Sequence, residues 1–320
     1  MAGMEDPFAT AIELLQAERP ARGQVERALH LLQQASAGGH AHASERCALF
    51  AAFGMAGPPS WDAAIDLLEL AARQGSRVAQ EQLLLLSDSS RDPEVPSNAD
   101  EAFWKGVRNR IEIHARMSPG ERMALSEIPR IRLIRGFATA PECRWLIQIA
   151  RDRLGPAKVF DNQTGQQTVD AARDNSCFAL GIGEMNVLTE VIRNRISAAT
   201  RLPVPLFEPS QLLHYDVGQS FKPHYDFLDP TDDTYRVNIV AFGQRIATFL
   251  IYLNDGYSGG DTSFPAIGLN VHAATGDALF FANVNPDGTP DRGTLHAGLP
   301  PTSGEKWVFS QWIRDRVPAG

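Results

Sequence analysis

The stretch HYDVGQSFKPHYDF, His214–Phe227, sets two histidines, two tyrosines and two aspartates around a glycine turn. On an extended strand, residues two apart share a face with Cα atoms roughly 6.5–7 Å apart. His224 and Asp226 can therefore grip one small cation from one side. A His-x-Asp pair alone is weak, since most such pairs sit in water, and a third donor must come from elsewhere in the chain. His296, in GTLHAGLPP shortly before the last strand-like run, is the candidate. His30, His40, His42 and His114 lie in a helical half, and His272 lies in a surface-like NVHAATGD run. Two imidazoles and one carboxylate on one face leave coordination positions free, as in the facial triad of non-haem Fe(II) sites. The same donors suit a zinc-bound water for hydrolysis, or an unreactive metal.

Lys306 discriminates between these chemistries. In EKWVFSQWI, Lys306, Val308, Ser310 and Trp312 share one strand face, and Trp307, Phe309, Gln311 and Ile313 share the other. Both faces are mainly apolar, so the strand is expected to be covered on both sides. A lysine on a buried face needs an anion to offset its desolvation. A dicarboxylate bound to the metal at one end would supply it at the other, whereas zinc hydrolysis has no comparable use for the charge. An exposed edge position is the plain alternative for a strand lysine.

Several kinds of element must position these groups. From Ser210 onward the chain reads as short β-type runs separated by Gly, Pro, Asn and Asp, including ATFLIYLN, LNVHA, DALFFAN and KWVFSQWI. That spacing predicts a sandwich, jelly roll or barrel. TAPECRWLIQIARDRLG reads as a helix capped by Thr139, with Pro141 in its first turn and Gly155 closing its end. EIPRIRLIRGF, Glu127–Phe137, begins a strand-like pattern, and SDSSRDPEVPSNAD, Ser87–Asp100, reads as a polar linker before a helix from about Glu101. The first ninety residues carry apolar residues three and four apart, the helical period. They also repeat at an offset of 36 residues, pairing Leu31 with Leu67, Leu32 with Leu68, Ala35 with Ala71, Gly39 with Gly75 and Ala43 with Ala79. A helix-turn-helix unit fits that period, with each glycine ending a helix. The expected organisation is α+β: a helical repeat region over residues 1–90, a linker and connecting helix over 91–126, and a catalytic β domain over 127–320. On this reading the helical region is a packing appendage or a concave surface that presents a protein partner.

Composition bounds the function. The chain has 320 residues, a formal charge of −8 and 43% apolar residues, as expected of a globular protein with a sizeable core. No long basic run speaks for nucleic acid, and no run approaches the ~20 apolar residues needed to cross a bilayer. The opening MAGMEDPFATAIELLQ lacks a basic-then-apolar leader pattern. Cys47, Cys143 and Cys177 are odd in number and form no CxxC, so a reducing cytoplasm is the expected location.

With these residues assembled, the segment from about Ile128 to Arg314 resembles the prolyl 4-hydroxylase branch of the Fe(II)/2-oxoglutarate-dependent dioxygenases. The resemblance rests on ordered motifs: QLLHYDVGQSFKPHYDF, GQRIATFLIYLN followed by GGDTSFP, GDALFF, and DGTPDRGTLHAGLPPTSGEKWVFSQWIR. It implies a double-stranded β-helix, a jelly-roll architecture. It assigns iron to His224, Asp226 and His296, and the C5 carboxylate of 2-oxoglutarate to Lys306, with Tyr215 and Thr262 donating further hydrogen bonds. Trp312 would wall the cofactor pocket, and Arg245 matches a position implicated in holding substrate. Arg173 is kept from the family's Arg-Thr-Ser stretch, but Asp174 and Asn175 follow it, so substrate identity is open there. The loops 161–175 and 229–235 are candidate lids. The implied co-substrates are 2-oxoglutarate and O2, with ascorbate as reductant, and the implied substrate is a prolyl residue in a peptide or protein. A free amino acid or other small molecule is the alternative substrate, and a noncatalytic scaffold is the alternative class. The first ninety residues resemble Sel1-like, tetratricopeptide-related repeats.

Overall fold

The computed structural model describes residues 6–16, 22–55, 57–157, 159–160, 167–168 and 173–317. The chain divides into two compact units, Met1–Met117 with Ile182–Arg193, and Ser118–Gly181 with Asn194–Gly320.

The first unit holds helices α1 (Pro7–Gln16), α2 (Arg22–Ala37), α3 (Ala41–Phe53), α4 (Trp61–Arg73), α5 (Arg77–Ser87) and α6 (Glu101–Arg108). Positions 36 residues apart do the same physical work in the α2–α3 and α4–α5 hairpins. Ala28 and Ala64, Leu32 and Leu68, and Ala43 and Ala79 are all 0% exposed. Gly39 and Gly75 take left-handed φ values of 92° and 96°, which only glycine adopts freely. The next residue then returns its N–H to the helix just ended, His40 to the Ala35 carbonyl at 2.9 Å and Ser76 to that of Ala71 at 3.0 Å. The same two residues cap the following helices, accepting from the N–H groups of Ala43 and Ala79.

Two findings revise the expected boundary near residue 90. Arg116 donates to the carbonyls of Leu86 and Ser87 and to the Ser89 hydroxyl, so the polar run that reads as a linker is tied into this unit. The chain also returns to it at Ile182–Arg193. There the Arg46 guanidinium donates to the carbonyls of Ile182, Gly183 and Met185, and the Gln82 side chain accepts the Leu188 N–H. Val187, Leu188, Val191 and Ile192 are at most 1% exposed. Deleting the first 117 residues would strip partners from this segment.

The second unit mixes helix with antiparallel sheet. Its principal strands are β1 (Arg122–Ser126), β2 (Ile131–Ile134), β3 (Ser176–Leu180), β4 (Ser210–Tyr215), β5 (Phe221–His224), β6 (Arg245–Tyr252), β7 (Thr262–Phe264), β8 (Leu269–Val271), β9 (Ala278–Ala282), β10 (His296–Gly298) and β11 (Lys306–Arg314). One sheet runs β1-β2-β9-β6-β11-β4-β3 and ends on Gly155–Pro156, and a smaller one runs β8-β7-β10-β5. Residues from both, among them Leu213, Leu279, Phe281 and Val308 from the first and Phe264 and Val271 from the second, form one buried cluster. Two antiparallel sheets sharing a core in this way are consistent with a jelly roll. β11 lies between β4 and β6 and is buried along nearly its whole length, as its two apolar faces require.

Local chemistry explains the flanking helices. Ala140–Arg151 begins with a capping box between Thr139 and Glu142 and carries proline in its first turn. It ends at Arg151, earlier than the expected stop at Gly155, which instead starts a short strand paired with Cys177. The region from Ser210, which reads as all β, contains a ten-residue helix, Asp233–Phe242, capped by Asp232. Of the two candidate lids, 229–235 is the turn into this helix. Most of 161–175 lies outside the described residues.

Candidate active site

β5 and β10 are antiparallel neighbours in which His224 lies directly opposite His296. Asp226 follows just beyond the end of β5, in a bend rather than on the strand. One donor atom from each of the three lies within 4.8 Å of the other two. His224 Nε2 is 3.7 Å from Asp226 Oδ1, and His296 Nε2 is 3.4 Å from Asp226 Oδ2.

The backbone sets the state of each imidazole. His224 Nδ1 is 2.7 Å from the Lys222 carbonyl, and His296 Nδ1 is 3.0 Å from that of Thr294. A carbonyl can only accept, so both Nδ1 atoms carry a proton and Nε2 is the nitrogen that each ring turns toward Asp226. Burial, and then the neighbouring His296, push the His224 pKa down to about 3, so the ring stays neutral and fit to ligate. Burial works against the charge on Asp226, but His296, His224 and the Thr248 hydroxyl outweigh it and hold the carboxyl below its usual range. The Phe221 ring stacks on His224 with centroids 3.5 Å apart, and the Arg173 guanidinium lies 4.8 Å over the other ring, that of Phe221. Two imidazoles with Nε2 turned inward and an ionised carboxylate between them fit a divalent ion that keeps positions open for other ligands.

One cavity reaches from this trio to Lys306, and Tyr215, Thr262, Val308, Ser310 and Trp312 also line it. The four residues that share one face of β11 in the sequence pattern thus share one wall. Lys306 is 2% exposed, and its Nζ donates to the Gly260 carbonyl at 2.6 Å. No carboxylate lies within ion-pair distance of it among the described residues. Burial pushes its pKa down to about 8 despite Asp261 nearby. Gly260 has a φ of 69°, and a Cβ there would collide with the Tyr257 ring at 2.9 Å. The Gly-Gly turn is therefore what allows its carbonyl to face the ammonium.

Tyr215 sits opposite Lys306 in the β4–β11 register, with its ring 5.4 Å from Nζ. Burial pushes its pKa up to about 12, so the phenol remains a donor. A side chain at Gly298 would come within 3.4 Å of that hydroxyl, so the glycine keeps its surroundings open. Thr262 Oγ1 accepts from the Tyr252 hydroxyl at 2.8 Å, which leaves the threonine proton to be donated elsewhere.

Arg245 is engaged differently from the others. Its guanidinium makes two bonds to Glu208, at 2.6 and 2.9 Å, and lies 3.7 Å over the Trp312 ring. Glu208 also accepts from Arg314. Arg245 is therefore held behind the cavity wall that Trp312 forms.

The sequence reading missed three parts of this site. Glu208 fixes Arg245. Thr248 donates to Asp226 Oδ2 at 2.6 Å, and Asn283 donates to Thr248 Oγ1 at 3.0 Å. The two-residue alternation along β6 was the available signal, since it puts Thr248 on the same face as Leu250, a cavity residue.

Residues 210–314 match the 2OG-Fe(II) oxygenase superfamily. The chain is 38% identical over 216 residues to prolyl 4-hydroxylase 5 of Arabidopsis thaliana, covering 61% of this chain and 72% of that relative. This chain belongs to the prolyl 4-hydroxylase-like 2OG-Fe(II) oxygenases. Prolyl 4-hydroxylase 1 of the same plant is 33% identical over 203 residues, with 59% and 70% covered. The viral collagen prolyl hydroxylase from Paramecium Bursaria Chlorella virus-1, solved as a 2OG complex, is 31% identical over 57% of this chain and 95% of that one, with a TM-score of 0.43. This oxygenase is accordingly a 2-oxoglutarate-dependent dioxygenase whose chemistry uses Fe(II), 2-oxoglutarate and O2. No described helix is long and apolar enough to cross a membrane.

Proposed function

We propose that this oxygenase hydroxylates a prolyl residue of a peptide or protein, with His224, Asp226 and His296 holding Fe(II) and Lys306 binding the distal carboxylate of 2-oxoglutarate. The carrying observation is that a buried, carboxylate-free ammonium shares one cavity with a three-donor metal cluster. A zinc hydrolase would leave that charge without a purpose. The prolyl substrate is supported by the names of the relatives.

The bound ion would supply activation of O2 coupled to decarboxylation of the keto acid. The chain's own residues do the rest. His224 and His296 would offer Nε2 as the ligating atom because their Nδ1 protons are committed to backbone carbonyls. Lys306, Tyr215 and Thr262 present three donors to one carboxylate end and so fix the keto acid's orientation. Val308, Leu213 and Leu250 keep the intervening wall apolar and exclude water. Trp312, backed by Arg245 on Glu208, forms the wall against which a substrate would rest.

We read the helical hairpins as Sel1-like repeats that present a protein substrate, on the strength of their matching caps and buried positions. The three unpaired cysteines support a reducing compartment. The test is incubation of a proline-containing peptide with Fe(II), 2-oxoglutarate and O2, followed by mass spectrometry. A gain of one oxygen on proline, matched by succinate, supports the proposal. Succinate release that no proline peptide stimulates would contradict the substrate assignment.

A further inference from the structure

The most unusual polar atom near the cavity is Asn283 Oδ1, which is buried with no hydrogen-bond partner among the described residues. Asn283 is 0% exposed, so no solvent compensates it. Its surroundings explain why the amide does not turn round. Thr248 has one hydroxyl proton, and it is donated to Asp226 Oδ2 at 2.6 Å. Thr248 Oγ1 is then an acceptor for Asn283, and the amide must present Nδ2 to it. Turning the amide would place two oxygens without a proton between them. The direction of the chain Asn283→Thr248→Asp226 is thus fixed at its carboxylate end, and the unpaired carbonyl is its consequence.

We infer that Asn283 and Thr248 are positioning residues that hold Asp226 for metal ligation, an inference that rests on the metal reading above. Thr248 lies on β6, and Asn283 directly follows β9, its neighbour in the large sheet. Asp226 lies beyond the end of β5, where no strand pairing restrains it. The two histidines start with strand neighbours and a backbone bond at Nδ1, so the aspartate is the ligand that most needs outside support. By occupying Oδ2, Thr248 leaves Oδ1 as the oxygen free for the ion. Asn283 donates to Thr248 Oγ1 and so directs the hydroxyl proton, which can otherwise rotate about the Cβ–Oγ1 bond, toward Asp226. A buried carbonyl left without a partner is unfavourable for folding, and metal ligation is the use that offsets it.

The test measures Mn(II) binding, by loss of the free-ion electron paramagnetic resonance signal, to the full chain and its variants without co-substrate. Thr248→Val and Asn283→Ala should each weaken Mn(II) about tenfold or more, the usual effect of removing a partner of a metal ligand. Thr248→Ser, which keeps the hydroxyl, should stay within about twofold of the parent protein, and the double variant should be no weaker than Thr248→Val alone. The melting midpoint of metal-free Asn283→Ala should not fall in step, because the substitution also removes the unpaired carbonyl. If Asn283→Ala does not fold, Asn283→Ser is read in its place. Parental Mn(II) affinity in the Asn283 variant, or a Thr248→Ser protein as weak as Thr248→Val, overturns the inference. A parent protein that ignores Mn(II), or that binds it equally well after His296→Ala, instead overturns the metal reading.

Discussion

The two ends of the cavity are prepared in opposite ways. At the metal end, every donor is fixed by the chain itself. Both Nδ1 atoms are bonded to backbone carbonyls, and Asp226 is held by Thr248. At the other end Lys306 is buried with the Gly260 carbonyl as its partner and, among the described residues, no carboxylate within ion-pair distance. The first end is assembled before a ligand arrives, while the second becomes electrostatically complete only with an anion.

That contrast can be broken most sharply at His296. Its replacement by alanine removes a donor that nothing else replaces, and both metal binding and turnover should fall to background. Lys306→Ala should weaken 2-oxoglutarate about a hundredfold or more, the ~2–5 kcal/mol expected when one partner of a buried charge pair is removed. Mn(II) affinity should stay within a few-fold, and equal losses of both would erase the distinction between the ends. The ligand-free variant should also melt higher, since a buried charge without a counter-ion has been removed.

The pH response follows from the same burial. The folded pKa of Lys306 lies near 8, below the ordinary value of 10.5. Between these values the unfolded chain holds more protons, so ligand-free stability should rise with pH across that window. Dicarboxylate affinity should do the reverse. It needs the ammonium form, so with Mn(II) in place of Fe(II) it should be flat below about pH 8 and fall roughly tenfold per unit above it. A profile flat to pH 10 would mean that the lysine keeps its proton unaided. The smallest effect belongs to Tyr215→Phe, which should weaken 2-oxoglutarate about tenfold, the value of one hydrogen bond to a charged group.

Much of this site was legible because strand periodicity is rigid. Alternation in KWVFSQWI put Lys306, Val308, Ser310 and Trp312 on one face, and these four line one wall. The 36-residue offset foretold the matching glycines because a left-handed turn accepts few residues. The helix Asp233–Phe242 was hidden by its valines and isoleucine, which favour strands, and the Asp232 cap is what starts it. The return of Ile182–Arg193 to the helical unit was also hidden, because pairing between distant segments leaves no local pattern. The support of Asp226 was hidden for the same reason. Thr248 and Asn283 are distant in sequence, and neither is a residue type that announces metal chemistry.

The most direct test is an anaerobic titration of 2-oxoglutarate into the Fe(II)-loaded chain, followed by visible absorption of the keto-acid chelate. The account predicts a new band in the parent protein, none after His296→Ala, and after Lys306→Ala a band that forms only at about a hundredfold more 2-oxoglutarate. An unshifted titration in the Lys306 variant would contradict it.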